Sequence, residues 1–248
     1  MLIDYQTFLA PSDPALTLHE VAEGDLTHFQ DLADILTEMM PQYAHYLGRI
    51  HTIAQHAPDF EAGFVHRQWL AKIDGQPAGI IVFKYVLARD CGLGLDFAIL
   101  PAYRATEFAN GRRLAHLLIE LCLAQLTADA ARHGRATPMG LVVEVEPEYG
   151  HRDPHGKLLK QYRKYGFVDL AVQYVEPPFI VKGPEDEARL GDYAFYPMRL
   201  GIFPNVAAEQ IHAPANLRHL VQAFLVDHYH LPPTHWAVQQ ALDSVVSG

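Results

Sequence analysis

The sequence contains few cysteines, and we expect in it neither a leader nor an apolar run long enough to span a membrane. Its 248 residues include two cysteines, Cys91 and Cys122, in separate apolar segments. Two isolated thiols do not make a disulfide framework, so we expect a reducing compartment, the cytoplasm. The opening stretch MLIDYQTFLAPSDPAL lacks both a basic start and a long apolar core, so we expect no signal peptide. We also expect no membrane span, which needs about 20 apolar residues.

Positive charge is also scarce, with 19 lysines and arginines against 29 acidic residues and a net charge of −10. Proteins that bind nucleic acids are usually basic, so we expect neither a nucleic-acid nor a membrane partner. The acidic field mildly favours a cationic substrate such as an amine, although the same charge also serves solubility.

Hydrophobic periodicity predicts a mixed α/β chain. Its first part predicts a strand over 15–21, helices over 23–40 and 41–57, a hairpin turning at Asp74-Gly75, and a third adjacent strand over 91–100. Three neighbouring strands joined by short turns indicate an antiparallel meander. A long helix follows over 111–132, with Asn110 as its N-cap and Gly134 as its stop.

The second part predicts a strand over 139–146 and a helix over 153–167 that Asp153 caps and Gly166 ends. A strand is predicted over 186–203, and helices from about residue 207 to the end. We therefore predict one α/β (α+β) domain over residues 1–200, with a mostly antiparallel sheet and flanking helices. A C-terminal helical extension over residues 201–248 packs on it, covering either a sheet edge or a second subunit in a homodimer.

The strand over 91–100 and the long helix are joined by residues 101–113, PAYRATEFANGRR, which we call the elbow. A helix start exposes unpaired N–H groups, and small residues let an anion approach them. Ala109 and Gly111 are small, and Arg104, Arg112 and Arg113 add positive charge. The elbow therefore indicates a diphosphate site, or simply a turn and a helix cap, because Asn-Gly is a common turn. It matches neither the Walker nor the three-glycine dinucleotide pattern.

Three segments occur in the order ILPAYR…ANGRRLAHLL, LVVEVE and QYRKYGF. Together they resemble the GNAT superfamily of acetyl-CoA-dependent N-acyltransferases, over about residues 15–180. The family's loop has an arginine three residues before its first glycine. Here Ala109 takes the place of that glycine, and Arg104 lies five residues before it. The loop is therefore two residues longer than the family's and has one glycine fewer.

The resemblance implies an acetyl-CoA site in which the pantetheine arm enters between two splayed parallel strands. Phe97, Ala98, Ile99 and Leu100 would supply its thioester end. The diphosphate would be covered by the elbow and the helix start, namely Arg104, Ala109, Asn110, Gly111, Arg112, Arg113 and Leu114. No metal is expected, because the histidine groups at 151–155 and 228–230 lack the accompanying carboxylate or cysteine ligands of a zinc site.

Acyl transfer to an amine needs a base for the ammonium and an acid for the departing thiolate. The resemblance places Tyr162 where the family commonly keeps its acid, although Tyr162 could equally be an ordinary packed helix residue. Glu144 and Glu146 share one face of a strand and are the candidate bases, with Asp96 in reserve. Like charges that lie close together can raise one pKa.

The acceptor is expected to be a small molecule with a primary amine. The resemblance implies that its pocket is lined by the N-terminal helices and by the chain after residue 175. Tyr43, Tyr46 and Tyr174 are candidate lining residues and could equally belong to the core. Two alternatives remain: a CoA-binding protein that has lost catalysis and serves as a sensor or interaction partner, and a transferase with another acyl donor.

Overall fold

A computed structural model describes residues 1–148 and 157–245 of the chain, with the exception of the Asn110 side chain. The chain divides into two compact units. Unit 1 comprises residues 1–87 and 94–136, and unit 2 comprises residues 88–93 and 137–248. Residue 200, the boundary predicted from the sequence, falls inside a strand of unit 2.

The sheet of unit 1 is an antiparallel meander. Its strands are β1 (Leu16–Glu20), β2 (Phe64–Ile73), β3 (Gln76–Val86) and β4 (Cys91–Ile99), the last of which begins in unit 2 and ends in unit 1. β2 pairs with β1 and with β3, both antiparallel. Asp74 and Gly75 have φ of 49° and 77°, the left-handed conformation that a two-residue hairpin turn requires, so the predicted turn is confirmed.

Two helices cover one face of this sheet. α1 (Phe29–Met39) buries Leu32, Ile35 and Leu36, whose spacing of three and four residues places them on one side. After a 3₁₀ turn over Pro41–Tyr46, α2 spans Leu47–Ala54. These helices form a buried cluster with Val21, which follows β1, and with residues of β2, β3 and β4. Its members are Val21, Leu32, Ile35, Leu36, Ile50, Ala54, Leu70, Ile80 and Ala98.

The long helix α3 (Leu114–Arg132) begins three residues later than predicted. Two short strands, β5 (Glu107–Phe108) and β6 (Arg112–Arg113), pair as a hairpin within the elbow. The backbone therefore stays extended up to Arg113, which is the N-cap in place of the predicted Asn110. At the other end Gly134 has φ of 65°, as a helix-ending glycine should.

By length and composition α3 is apolar enough to cross a membrane, contrary to the prediction that no segment is. Core helices of soluble proteins pass the same test. Ten of its side chains are buried, including Leu114, Leu118 and Cys122.

In unit 2, β10 (Tyr196–Pro204) pairs antiparallel with β7 (Gly140–Val145), β8 (Val168–Asp169) and β9 (Tyr174–Glu176). The described part of the predicted helix over 153–167 is α4 (Lys157–Lys164). Its predicted cap Asp153 lies outside the described residues. Gly166, with φ of 88°, follows the helix end as predicted.

The prediction of a strand over 186–203 is confirmed for its second part, which belongs to β10, and wrong for its first part. Its first part is the helix α5 (Pro184–Arg189), which has proline at its first position and three acidic residues in its first turn. Both features stabilise a helix start. The predicted helices at the end of the chain are α6 (Ala208–Ile211), α7 (Pro214–Gln222), a π-helical segment (Ala223–His228) and α8 (Trp236–Ser244). The mixed α/β class with mostly antiparallel strand pairing and flanking helices is confirmed.

Candidate active site

The elbow presents an exposed, partly cationic surface at the start of α3. Arg104, Gly111 and Arg113 are all exposed. Gly111 has φ of 70°, and no atom lies within 4 Å of where its Cβ would stand, so its need for glycine comes from the backbone conformation. The first-turn N–H groups of a helix lack intrahelical acceptors, but that of Leu114 donates to Thr106 O at 3.2 Å. Ala115, which is half-exposed, carries the next such N–H group.

Several predicted donor-binding groups of the elbow already have partners within unit 1, among them Arg104, whose Nε donates to Ile99 O at 3.1 Å. The Ala109 N–H donates to Asp13 Oδ1 at 2.6 Å. Arg112 donates to Glu120 Oε2 at 2.8 Å, to Phe8 O at 2.7 Å and to Ala109 O at 3.2 Å. These contacts attach the N-terminal segment to the elbow, and they leave Arg104 and Arg113 as its exposed cations.

The end of β4, predicted to hold the thioester, approaches β3 closely. A Cβ at Gly79 would lie 2.8 Å from Ala98 O, so only glycine permits this spacing. Leu100 N donates to Ala78 O at 2.9 Å. Phe97 is half-exposed, and Ala98 and Ile99 are buried. The strand is therefore held rigidly against its neighbour as it enters the elbow.

On β4, Asp96 is buried, and its carboxylate faces Arg49 of α2. Arg49 Nη2 and Asp96 Oδ2 are 3.8 Å apart, and the guanidinium lies 5.0 Å from the centroid of the Tyr46 ring. Tyr43 stacks on Tyr46 with centroids 6.2 Å apart. Burial raises the pKa of Asp96, and the positive charge of Arg49 opposes that rise. The structure thus brings together Tyr43, Tyr46 and the reserve base Asp96, three residues singled out from the sequence.

In unit 2, tyrosine hydroxyls donate hydrogen bonds to both candidate bases, Glu144 of β7 and Glu146, which follows the end of that strand. The hydroxyl of Tyr174 donates to Glu144 Oε1, and that of Tyr229 donates to Glu144 Oε2 at 2.9 Å. Burial, followed by the charge of Glu144, raises the pKa of Tyr174. Tyr174, predicted to line the acceptor site, therefore lies against a predicted base.

Glu146 is buried and accepts a hydrogen bond from the Tyr196 hydroxyl at 2.6 Å. Glu144 is the more exposed of the two carboxylates. Exposure favours Glu144 as the group that an amine or a water molecule can reach, and the choice between the two stays open.

Tyr162 lies in an aromatic cluster at the end of α4. Its ring centroid is 5.4 Å from that of Phe203 and 6.0 Å from that of Phe167. Gly201 makes room for Phe167, because a Cβ there would collide with the Phe167 ring. Burial raises the pKa of the Tyr162 hydroxyl, so it stays protonated at neutral pH, the state a proton donor needs.

Sequence reasoning missed Asp13, Arg49, Tyr196 and Tyr229, each of which contacts a predicted residue. None belongs to a motif, and only folding brings them to their partners. Among residues 1–148 and 157–245, no group of three or more histidine, cysteine, aspartate or glutamate side chains could hold a metal ion. The histidine pair at 151 and 155 lies outside the described residues.

No protein-family model and no curated protein matches this chain. Solved structures do match. One described as a GNAT-family acetyltransferase of Bacteroides thetaiotaomicron is 18% identical and covers 87% of this chain and 99% of its own, with a TM-score of 0.47. The PaiA N-acetyltransferase of Thermoplasma acidophilum, solved in complex with coenzyme A, is 8% identical and covers 76% of this chain and 98% of its own, with a TM-score of 0.45.

A GNAT-family acetyltransferase of Streptococcus pneumoniae is 17% identical and covers 75% of this chain and 98% of its own, with a TM-score of 0.41. At such identities the likeness concerns the fold alone. The Bacteroides and Streptococcus structures are described as members of the GNAT family, and this chain is similar to them in fold.

Proposed function

We propose that this chain transfers an acetyl group from acetyl-CoA directly to the primary amine of a small molecule. The observation that carries the proposal is the elbow. It places two exposed arginines, Arg104 and Arg113, beside the left-handed Gly111 at the start of a helix of 19 residues. Backbone N–H groups at a helix start and nearby arginines are the groups that bind a diphosphate.

In this proposal the elbow and the end of β4 bind the donor. The diphosphate lies along Gly111, Arg113 and the first turn of α3, rather than on the Ala109 N–H, which Asp13 already occupies. The backbone of Phe97–Leu100 pairs with the pantetheine arm. Preorganised N–H groups that polarise the thioester carbonyl would supply a large part of the rate enhancement.

The candidate base and the candidate acid handle the protons. An alkylammonium has a pKa of about 10 and must lose a proton before it attacks. A carboxylate accepts that proton, directly or through water, with Glu144 and Glu146 as the candidates and Asp96 in reserve. The amine nitrogen then bonds to the acetyl carbon, the carbon–sulfur bond breaks, and the Tyr162 hydroxyl protonates the departing thiolate. The second proton that the acylated nitrogen loses returns to Tyr162 through water.

A second candidate is a protein of the same fold that binds CoA without catalysis. The internal partners of Ala109 and Arg112 favour it, because they take two groups away from donor binding. Turnover of any amine would exclude this candidate.

The test has a binding arm and a turnover arm. Thermal unfolding is measured with acetyl-CoA, with ATP and with NAD, since a ligand at about 100 times its Kd stabilises the native state by about 2.7 kcal/mol. We expect a rise of a few degrees with acetyl-CoA alone. Release of free CoA thiol is then followed across a panel of primary amines. An equal rise with ATP or NAD, or no rise at all, would refute the donor site.

A further inference from the structure

Among residues 1–148 and 157–245, three arginine–aspartate ion pairs have both side chains no more than 24% exposed, and one of them lacks a hydrogen bond between its partners. Arg67 donates to Asp129 through Nε, at 3.0 Å, and through Nη2. Arg89 uses the same two nitrogens on Asp227, at 2.7 and 3.4 Å. In both pairs the side-on edge of the guanidinium, Nε with Nη2, is closed by a carboxylate.

The third pair, Arg49 with Asp96, lacks this closure. Arg49 Nη2 stays 3.8 Å from Asp96 Oδ2, beyond hydrogen-bond distance. Arg49 Nε and Asp96 Oδ2 are both buried without a hydrogen-bond partner among residues 1–148 and 157–245. Leaving such groups unpaired costs about 1–3 kcal/mol each, more when they are charged. On the guanidinium edge that two other aspartates fill, Arg49 Nε is therefore unsatisfied here, and Nη2 makes only the 3.8 Å ion pair with Asp96.

The surroundings keep this edge in place. Tyr46 lies under the Arg49 guanidinium, and Tyr43 stacks on Tyr46. Ala98, two residues after Asp96 on the same face of β4, and Ile50, next to Arg49, belong to the apolar cluster of unit 1. The Arg49–Asp96 pair thus borders the apolar core, where a missing partner is most costly.

The two unsatisfied atoms specify complementary ligand groups. The Nε–Nη2 edge of an arginine matches the two oxygens of a carboxylate, and a lysine does not reproduce this fork. Asp96 Oδ2 accepts from a donor, and an ammonium is the donor with the matching charge. A single small molecule that carries both groups would satisfy both atoms.

We propose that Arg49 and Asp96 form the acceptor subsite of the proposed transferase, and that it takes an aminocarboxylate whose carboxylate lies on Arg49 and whose ammonium lies on Asp96. This inference rests on the proposed function only in treating the bound aminocarboxylate as the molecule that receives the acetyl group. The binding itself involves residues of unit 1 alone and needs no donor.

The test is equilibrium binding in the absence of acetyl-CoA, with matched pairs of probes that differ by one carboxylate. The pairs are L-phenylalanine with 2-phenylethylamine, L-leucine with 3-methylbutylamine, and 4-aminobutyrate with butylamine. We expect the wild-type protein to bind the aminocarboxylate of at least one pair about 10- to 100-fold more tightly than its amine, the range for a charge-assisted hydrogen-bonded pair. Equal binding within every pair, or no binding of any probe, would overturn the proposal.

Variants then locate the preference. Arg49→Met should bind both members of that pair at the level of the amine, whereas Arg218→Met, at a half-exposed arginine of α7, should keep the wild-type preference. Arg49→Lys keeps the positive charge but lacks the paired Nε and Nη2 donors, so its preference for the aminocarboxylate should fall about tenfold. This variant replaces Arg49→Met in the test if Arg49→Met fails to fold. An unchanged preference in either Arg49 variant would contradict the subsite. Because acetyl-CoA binding is measured separately, a chain that binds aminocarboxylates without being stabilised by acetyl-CoA would refute the transferase and leave the subsite standing.

Discussion

The Asp13 carboxylate accepts a hydrogen bond from the Ala109 N–H at 2.6 Å, across 96 positions of sequence. Its other oxygen accepts from Ala10 N at 2.8 Å. A negative charge thus sits on the elbow at one of the N–H groups that the GNAT resemblance assigns to the donor diphosphate.

Removing this charge should strengthen donor binding. Asp13→Asn keeps an oxygen that can accept from Ala109 and removes one negative charge near the proposed diphosphate. We expect the Kd for acetyl-CoA to fall about three- to tenfold, an effect of about 1 kcal/mol that shrinks as salt is added. Titration calorimetry at two salt concentrations measures it.

Asp4→Asn is the matched control, because Asp4 lies in the same segment and accepts instead from Gln6 N. An equal gain in both variants would mean that only net charge matters. Weaker binding in Asp13→Asn would mean that the hydrogen bond from Ala109 to the charged Asp13 helps donor binding more than the negative charge of Asp13 opposes it.

Tyr162 is the proposed acid, and Tyr162→Phe removes its hydroxyl while keeping the ring in its aromatic cluster. We expect kcat to fall about 10²-fold, the usual contribution of a general acid, with the KM for acetyl-CoA changed less than about twofold. Tyr165→Phe, three residues further on, serves as the control in the same steady-state assay. Wild-type kcat in Tyr162→Phe would assign the tyrosine to packing alone.

The hydroxyls of Tyr174 and Tyr229 both donate to Glu144, so they should stabilise unit 2 through it. We expect Tyr174→Phe and Tyr229→Phe each to lower the free energy of unfolding by about 1–3 kcal/mol, as for hydrogen bonds to a charged group. Denaturant unfolding of these variants, alone and combined with Glu144→Gln, measures the coupling. Strictly additive losses would show that neither hydroxyl acts through Glu144.

The buried carboxyl of Asp96 should make stability depend on pH. Because burial raises its folded-state pKa, the folded protein holds this proton more tightly than the unfolded chain does. Stability should then fall as the pH rises from about 3.9, the unfolded value, through the folded pKa. Asp96→Asn lacks this proton, so its free energy of unfolding relative to the wild type should increase from pH 4 to pH 8.

Asp31→Asn is the control for this series, since the Asp31 carboxylate is 38% exposed in its ion pair with Lys72. A constant difference between Asp96→Asn and the wild type across the same pH range would contradict the burial of a titrating carboxyl.

Much of the fold was predictable because it depends on local signals. The Asp74-Gly75 turn, the three adjacent strands and the glycine stops at Gly134 and Gly166 follow from turn chemistry and periodicity. The errors were local too. The N-cap moved from Asn110 to Arg113 because β5 and β6 pair with each other, and that pairing is not visible as periodicity in so short a segment.

By itself the sequence determined the class of the fold, most of the order of its elements and the position of the elbow between β4 and α3, since these follow from periodicity along the chain. Tertiary structure alone decided which polar atoms of the candidate site are satisfied. Asp13 reaches Ala109, Tyr229 reaches Glu144 and Arg49 faces Asp96 without closing on it, because such contacts depend on distances between elements that are far apart in sequence. A pattern can name the residue types of a site, but only the packed chain sets which of their hydrogen-bonding groups remain for a ligand.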